Sequence, residues 1–295
     1  MKKNLAVVLC GTSNMIFAIA TTIINFKKCY KGSDYEFVIF SDGNISQKDI
    51  DLIKSINETK FIKYNFPLEK ELSSKNLSVK HFTNMVFAKF ECLKLLNEYK
   101  TVIFTDYDIV ILDDISELEK ETKEGIKAII NEKSIISNFT ESIEEYDMEK
   151  DGMNGGLFVL QDKLKNYNDM YNFCYSITKK YYDKLFMPEQ VAFSLMLQEF
   201  NINPEKLNPD IYCLIPNQHA NFPKAKILHS YGFHKFWNGI KDNSFNLWNA
   251  NYKEWIRMGG SKYKKRNEIL YKILLKISWL IPVRKWRDEF RLKFM

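Results

Sequence analysis

The chain of 295 residues contains little cysteine, and no two of its cysteines have the spacing of a metal site. The five cysteines are scattered and odd in number, and most lie in apolar surroundings: Cys10, Cys29, Cys92, Cys174 and Cys213. This pattern is typical of free thiols in a reducing compartment and argues against a disulfide framework.

Long apolar runs are also missing. The run Leu5–Cys10 has six residues and ends at the polar loop that starts with Gly11, so it is too short for a signal peptide or a membrane span. The chain has no internal repeat and no low-complexity linker. These absences predict a cytoplasmic protein in which one α/β domain fills residues 1–260.

Basic residues are concentrated at the C-terminus. The net charge of the chain is +6. Residues 262–293 hold eleven lysines and arginines against three acidic residues, a net charge of +8, so the rest of the chain has a net charge of about −2. Ile269, Ile273, Ile277 and Leu280 recur at helical spacing before Pro282 ends the run. A second apolar stripe with basic neighbours follows, formed by Val283, Trp286, Phe290 and Phe294.

An apolar stripe backed by lysine and arginine is typical of a helix that lies in an anionic bilayer surface. A C-terminal helix packed on its own domain would show a similar pattern. We expect residues 261–295 to form a basic amphipathic tail that associates peripherally with the inner face of the membrane. No nucleic-acid-binding module accompanies the tail, so no nucleic acid partner is expected.

Strands and helices alternate at the N-terminus. The pattern predicts strands at 5–10, 36–40 and 60–64, with helices at 15–26 and 46–56 between them. This alternation predicts a parallel, Rossmann-like sheet, and such sheets bind nucleotides beyond the carboxyl ends of their strands. Further elements are predicted as helices at 84–97, 115–124, 163–182 and 189–200 and strands at 125–130 and 156–160.

An acidic pair follows a predicted buried strand at residues 102–104. The strand is expected to end near Thr105, because an unpaired buried carboxylate is very costly. Asp106 and Asp108 are two residues apart, so in extended backbone their side chains point the same way. Two converging carboxylates suit Mn²⁺ or Mg²⁺ carrying a phosphate. Taken alone, the pair is explained better by an acidic turn at a strand end.

Two stretches in the second half of the chain also contain candidate ligand contacts. Asn154 and Gly155 precede the strand predicted to begin at Gly156, and glycines there let a ligand approach the backbone closely. Glu189 and Gln190 open a helix after Pro188, and helix-start chemistry explains the glutamate but not the glutamine.

A more specific pattern occurs near residue 230. His229, Gly232 and Lys235 form a His-x-x-Gly-x-x-Lys stretch beside Trp237. The histidine offers a nitrogen ligand, and after a turn that glycine permits the lysine can meet a phosphate.

The order and spacing of these motifs resemble glycosyltransferase family 8, the group of glycogenin and of bacterial lipopolysaccharide galactosyl- and glucosyltransferases. The resemblance covers about residues 5–240, and its matching stretches are 87–92, 102–112, 154–156, 189–190 and 229–235. It implies a GT-A fold, which is a single Rossmann-like, mixed but mainly parallel sheet flanked by helices. It also implies transfer of a hexose from a UDP-sugar with retention of anomeric configuration. The acceptor implied is a saccharide or glycolipid of lipopolysaccharide or capsule.

The resemblance also implies residue roles. Asp106, Asp108 and His229 would bind Mn²⁺ or Mg²⁺, and Lys235 with Gly232 would hold the diphosphate. The remaining donor contacts would come from Leu9, Cys10, Gly11, Thr12, Met15, Lys89, Tyr107 and Gly155. The groups implied at the reacting sugar are Asn154, Glu189 and Gln190.

The sequence departs from the family pattern at three places. Gly11-Thr12-Ser13 replaces an acidic or asparagine residue that reads uracil, so base recognition is expected to use backbone groups. Phe236 stands where the family has proline, and Glu189 stands where it usually has aspartate.

Two mechanisms are compatible with these residues. Because the departing phosphate can itself take the proton of the acceptor, front-face transfer is favoured over a covalent intermediate on Glu189 or Gln190.

Two other functions remain compatible with the sequence. A sugar-phosphate nucleotidyltransferase could use a similar sheet and acidic pair, although its Gly-rich basic loop is missing here. The second alternative is a catalytically inactive module that binds carbohydrate or a membrane.

Overall fold

The computed structural model describes residues 2–72, 83–139, 142–232, 235–238, 243–264, 268–283, 286–287 and 290. The strands are β1 (Lys3–Cys10), β2 (Tyr35–Ser41), β3 (Thr59–Lys63), β4 (Tyr99–Thr105), β5 (Ile109–Ile111), β6 (Ile126–Ser134), β7 (Asp151–Gln161), β8 (Glu205–Leu207) and β9 (Ile227–His229). The α-helices are α1 (Ile16–Cys29), α2 (Gln47–Ile56), α3 (Glu91–Leu95), α4 (Tyr167–Tyr181), α5 (Pro188–Glu199), α6 (Pro209–Tyr212), α7 (Asn243–Arg257) and α8 (Glu268–Trp279).

Seven strands form one mixed sheet in the order β3-β2-β1-β4-β7-β6-β8. β3, β2, β1 and β4 are parallel, β7 runs antiparallel to both of its neighbours, and β8 is parallel to β6. The predicted mainly parallel sheet flanked by helices is confirmed. β5 and β9 form a separate antiparallel pair.

The predicted alternation at the N-terminus is also confirmed. β1 is buried on both faces, with Leu5, Val7 and Leu9 in one apolar cluster and Ala6 and Val8 in the other. This explains why the run has no polar alternation. The predicted N-cap of α2 is present, because the Ser46 hydroxyl accepts a hydrogen bond from the backbone N–H of Asp49.

Three predicted elements differ from the structure. The helix predicted at 84–97 is a 3₁₀ segment, Asn84–Phe90, followed by the short α3. The helix predicted at 115–124 is only a 3₁₀ turn, Ser116–Glu119. The strand predicted at 156–160 begins already at Asp151, so Asn154 and Gly155 lie inside β7 and not before it. β6 and β7 pair through two register shifts, and such an irregular ladder accommodates glycine inside a strand.

The topology brings three distant segments to one place. β4 ends at Thr105, where Leu157 of the neighbouring β7 pairs with it. The backbone N–H of Asp106 then donates to the carbonyl of Gly156. After the bend at residues 106–108, Ile109 pairs with His229 at the end of β9. The acidic pair, the glycines and the histidine therefore meet at one edge of the sheet.

The segment after α7 is held against the body of the protein. Ser261 donates from its N–H and its hydroxyl to the buried Asp49 carboxylate, at 2.9 and 2.6 Å. The ring of Tyr263 lies 5.0 Å from that of Phe17. Among the residues that the structure describes, no helix has the length and apolarity needed to cross a membrane.

Candidate active site

Asp106, Asp108 and His229 form the centre of the site. One ligand atom from each of the three residues lies within 4.8 Å of the others. His229 Nε2 is 3.1 Å from Asp108 Oδ1 and 3.7 Å from Asp106 Oδ2. Asp108 and His229 are buried, and the Asp106 side chain is 27 % exposed. Asp106 is therefore the most solvent-accessible of the three.

Strong electrostatic coupling accompanies this geometry. Burial alone would raise the pKa of the Asp108 carboxyl, but Lys235 and His229 outweigh it and hold this pKa well below its usual range. Burial would lower the pKa of His229, but Asp108 raises it to about 10. At Asp106 burial dominates and raises the pKa of the carboxyl, although Lys89 opposes the shift. The buried negative charges of Asp106 and Asp108 are thus stabilised by positive charge placed beside them.

Lys235 supplies part of that charge. Its Nζ forms an ion pair with Asp108 Oδ2, on the side away from His229. Gly232, which precedes it by three residues, has φ +86°, a conformation that residues with a side chain rarely adopt. Gly232 thus has the backbone conformation that the predicted turn requires, and residues 233–234 of that turn lie outside the described residues.

Gly156 is required by the close approach of the histidine ring. A Cβ built on Gly156 would lie 2.6 Å from Cε1 and 3.1 Å from Nδ1 of His229. Both distances are shorter than an ordinary carbon contact, so only glycine leaves room for the ring. The N–H of Gly156 donates to Asn154 Oδ1 at 2.7 Å, which fixes the strand at this point.

A buried lysine joins the acidic pair to the start of α5. Lys89 Nζ is 3.3 Å from Asp106 Oδ1 and 3.2 Å from Glu189 Oε1, and it donates to the carbonyl of Gly155 at 3.0 Å. Burial would lower the pKa of Lys89, but Asp106 and Glu189 raise it above its usual value. Gln190, beside Glu189, is half-buried, and its Cγ would be 3.1 Å from a Cβ on Gly155.

The loop after β1 approaches the acidic segment from the other side. A Cβ on Gly11 would be 3.1 Å from Tyr107 Cε1, so the tyrosine ring packs directly on this glycine. The tyrosine carbonyl accepts from the Thr22 hydroxyl. Leu9 and Cys10 end β1 and are buried. Thr12 and Met15 are partly exposed, Thr12 immediately before the 3₁₀ turn Ser13–Met15 and Met15 at its end.

Two residues near the site, Cys213 and Asp42, were not predicted from the sequence, whereas Trp237 was noted beside the His-x-x-Gly-x-x-Lys stretch. Cys213 places its Sγ 3.3 Å from Nδ1 of His229. Asp42, in the turn after β2, accepts from the N–H and hydroxyl of Ser13 and so fixes the first loop. Trp237 stacks near Tyr107 at 6.3 Å. The only sequence signal for Asp42 was its place in a turn after a parallel strand, and Cys213 gave none.

The chain is similar to known glycosyltransferases. The sequence profile described as Glycosyl transferase family 8 matches residues 6–241. Among solved structures, galactosyltransferase LgtC in complex with donor and acceptor sugar analogs has a TM-score of 0.65 at 12% identity, covering 86% of this chain and 99% of LgtC. The bifunctional glycosyltransferase WbbM has a TM-score of 0.64 at 14% identity, covering 88% of this chain and 52% of WbbM.

GlyE of Streptococcus pneumoniae TIGR4 has a TM-score of 0.56 at 17% identity, covering 90% of this chain and 66% of GlyE. A search of curated protein sequences finds no match. At these identities the structural matches establish a shared fold, and the profile match over most of the chain establishes the family. The chain belongs to glycosyltransferase family 8 and is a glycosyltransferase with a GT-A fold.

Proposed function

We propose that this glycosyltransferase is a metal-dependent, retaining hexosyltransferase. It moves a hexose from a UDP-sugar to a saccharide or lipid-linked acceptor during synthesis of a surface glycan, such as lipopolysaccharide or capsule. The observation that carries the proposal is the convergence of Asp106, Asp108 and His229 with Lys235. Two carboxylates, an imidazole and an ammonium in one place suit a divalent cation and the diphosphate that it accompanies.

The residues present fit a hard divalent cation. Carboxylate oxygens and one imidazole nitrogen are ligands that Mn²⁺ accepts, and Mg²⁺ is the alternative. The glycine at 156 leaves space for the His229 ring beside the two carboxylates. A cation held by Asp106, Asp108 and His229 would neutralise negative charge on the departing UDP.

The other residues contact the donor in this proposal. Lys235 turns from Asp108 towards the diphosphate, with Gly232 permitting the turn that places it. Lys89 and Asn154 meet the donor phosphate and sugar. The uridine lies against Met15 and the end of β1 (Leu9, Cys10, Gly11 and Thr12), where backbone groups of the loop read the base.

The reaction breaks the bond between the sugar C1 and the diphosphate oxygen. The acceptor hydroxyl oxygen forms its bond to C1 on the same face, and its proton moves to the departing phosphate oxygen. Glu189 is a poor candidate for a covalent nucleophile, because it is buried and Lys89 neutralises it at 3.2 Å. It instead holds Lys89, and Gln190 lies beside the reacting sugar.

Replacing Glu189 with glutamine tests the front-face route. Since Lys89 keeps Asp106 as a partner, we expect the E189Q variant to retain transfer, with a loss of no more than about 100-fold. Intact-mass spectrometry of the wild type with donor alone should show no glycosyl adduct. Loss of a true nucleophile would cost about 10⁴-fold or more, and an adduct that disappears in E189Q would establish double displacement.

Calorimetry and a donor screen test the function itself. UDP should bind in the presence of Mn²⁺ and much more weakly with a chelator. One of UDP-glucose, UDP-galactose and their N-acetyl forms should be turned over with release of UDP. Release of pyrophosphate from a nucleoside triphosphate and a sugar phosphate would support a nucleotidyltransferase. Failure of UDP and Mn²⁺ to bind would support an inactive binding module.

The acceptor proposal rests on the C-terminal tail. In and after α8 an apolar stripe lies exposed, with Ile273 48 %, Trp279 63 % and Leu280 81 % exposed. Large exposed apolar patches mark contact surfaces, and the basic residues here favour an anionic bilayer. Residues 284–285, 288–289 and 291–295, which include Phe294 of the second predicted stripe and most of its basic neighbours, lie outside the described residues.

A cationic groove adjoins the beginning of this tail. It has a volume of about 530 Å³, and Lys253, Arg257 and Lys262 surround its apolar side chains Tyr252 and Ile256. We place the enzyme on the cytoplasmic face of the membrane, with residues 1–260 as the catalytic domain and residues 261–295 as the tail. Ser261 and Tyr263 pack on the domain, so a truncation that spares them is the better test.

Removing residues 265–295 should abolish sedimentation with anionic liposomes and leave hydrolysis of the UDP-sugar unchanged. The charge change K276E should weaken sedimentation by about fivefold or more, since each lysine near such a surface contributes about 1 kcal/mol. K123E, at a side chain that is 95 % exposed, is the matched control and should behave as wild type. Equal sedimentation of the full chain and the truncated chain would refute the membrane role.

A further inference from the structure

The thiol of Cys213 is a buried contact of the site that the reaction described above does not use. The residue is 7 % exposed, and its Sγ is 3.3 Å from Nδ1 of His229. The Nε2 atom of the same ring faces Asp108 at 3.1 Å. The two ring nitrogens therefore have different neighbours, with sulfur on one side and carboxylate on the other.

The backbone holds Cys213 firmly beside the histidine. The N–H of Cys213 donates to the carbonyl of Pro209 at 2.9 Å, and that of Leu214 donates to Ile227 at 3.2 Å. The N–H of His229 donates to the carbonyl of Leu214 at 2.8 Å. These bonds tie the segment that carries the thiol directly to β9, so the distance between sulfur and ring is set by the ladder.

The ring itself has little freedom to turn. The Cα of Gly156 faces its Cε1 edge at a distance that leaves no room for a Cβ. The ring of Tyr231 lies 5.4 Å away at an interplanar angle of 78°. A half-turn of the imidazole would place a ring carbon instead of Nδ1 beside Cys213. During that rotation the ring would have to displace Gly156 and Tyr231.

A histidine that ligates a metal through Nε2 carries its hydrogen on Nδ1. Such histidines normally donate this hydrogen to a carboxylate, a carbonyl or water, and the acceptor fixes both tautomer and ring orientation. At His229 the group in that place is a thiol, which is a weak acceptor.

We propose that Cys213 is a positioning residue that directs Nε2 of His229 towards Asp106 and Asp108. Cys213 accepts the hydrogen bond from Nδ1–H and so presents the Nε2 lone pair to the cation. This role rests on the proposed metal dependence of the enzyme. It assigns to a cysteine the function that an oxygen acceptor usually performs.

Mn²⁺ affinity tests the proposal directly, because it is measured without turnover. Binding is followed in the full chain with UDP present, from the electron paramagnetic resonance signal of free Mn²⁺. We expect the C213A variant to bind Mn²⁺ about 10- to 100-fold more weakly, the range found when an acceptor behind a metal-bound histidine is removed. C213S should recover much of the loss, because a hydroxyl can also accept from Nδ1–H.

C174A is the matched control. Cys174 is fully buried, and its sulfur lies 3.7 Å from that of Met196, so the substitution removes a core thiol of the same size. It should lower the melting temperature and leave Mn²⁺ affinity unchanged. If the wild type binds Mn²⁺ and C213A binds it equally well, Cys213 has no positioning role. If the wild type itself does not bind Mn²⁺, the metal dependence fails and the proposal for Cys213 fails with it.

Discussion

The D108A variant is expected to lose sugar transfer by about 1,000-fold or more, because the change removes several kcal/mol of charge stabilisation. Asp108 is buried between His229 and Lys235, at 3.1 Å from the imidazole and in an ion pair with the ammonium. Without this carboxylate two cationic groups face each other, and a divalent cation loses its most buried oxygen ligand. The measurement is UDP release at saturating donor, together with Mn²⁺ binding.

Asp113 provides the control for this experiment. It lies five residues further along the same segment, is exposed, and accepts a local hydrogen bond from the N–H of Asp114. D113A should therefore keep both turnover and Mn²⁺ affinity. The D108N variant preserves side-chain size, and it should be as inactive as D108A while melting closer to the wild type. A D108A variant that is folded and fully active would refute the metal site.

Much of this site could be predicted because its residues belong to short sequence motifs. Asp106 and Asp108 follow an apolar run that had to be a strand, and the spacing of His229, Gly232 and Lys235 is specific. The parallel N-terminal half followed from its alternation of strands and helices, since each element can be recognised from its own short run of residues.

The rest depends on contacts between segments distant in sequence. Cys213 meets His229 only because residue 214 pairs with the strand that ends there. Asp42 reaches Ser13 only because β1 and β2 are neighbours. Gly155 was expected to precede a strand, because Asn-Gly normally marks a turn. The register shifts between β6 and β7 instead keep it inside β7, and no single-segment pattern could reveal them.

The G156A variant should lose about 100-fold in transfer and bind Mn²⁺ more weakly, although the added methyl group touches no substrate in this proposal. The new Cβ would lie 2.6 Å from Cε1 of His229, so the ring must move by several tenths of an ångström to restore an ordinary contact. A misplacement of about 1 Å at a catalytic group can cost 100-fold in rate. Steady-state kinetics and Mn²⁺ titration measure the two effects.

A double-mutant cycle separates this cause from simple destabilisation. If the methyl group acts by displacing the imidazole, G156A should add almost nothing to a protein that already has the substitution H229A. Two residues in contact show such non-additivity, whereas independent sites add. Equal losses from G156A in the presence and absence of His229 would show that the glycine serves the strand and not the histidine. Non-additive losses would place Gly156 and His229 in one functional unit at the end of β4.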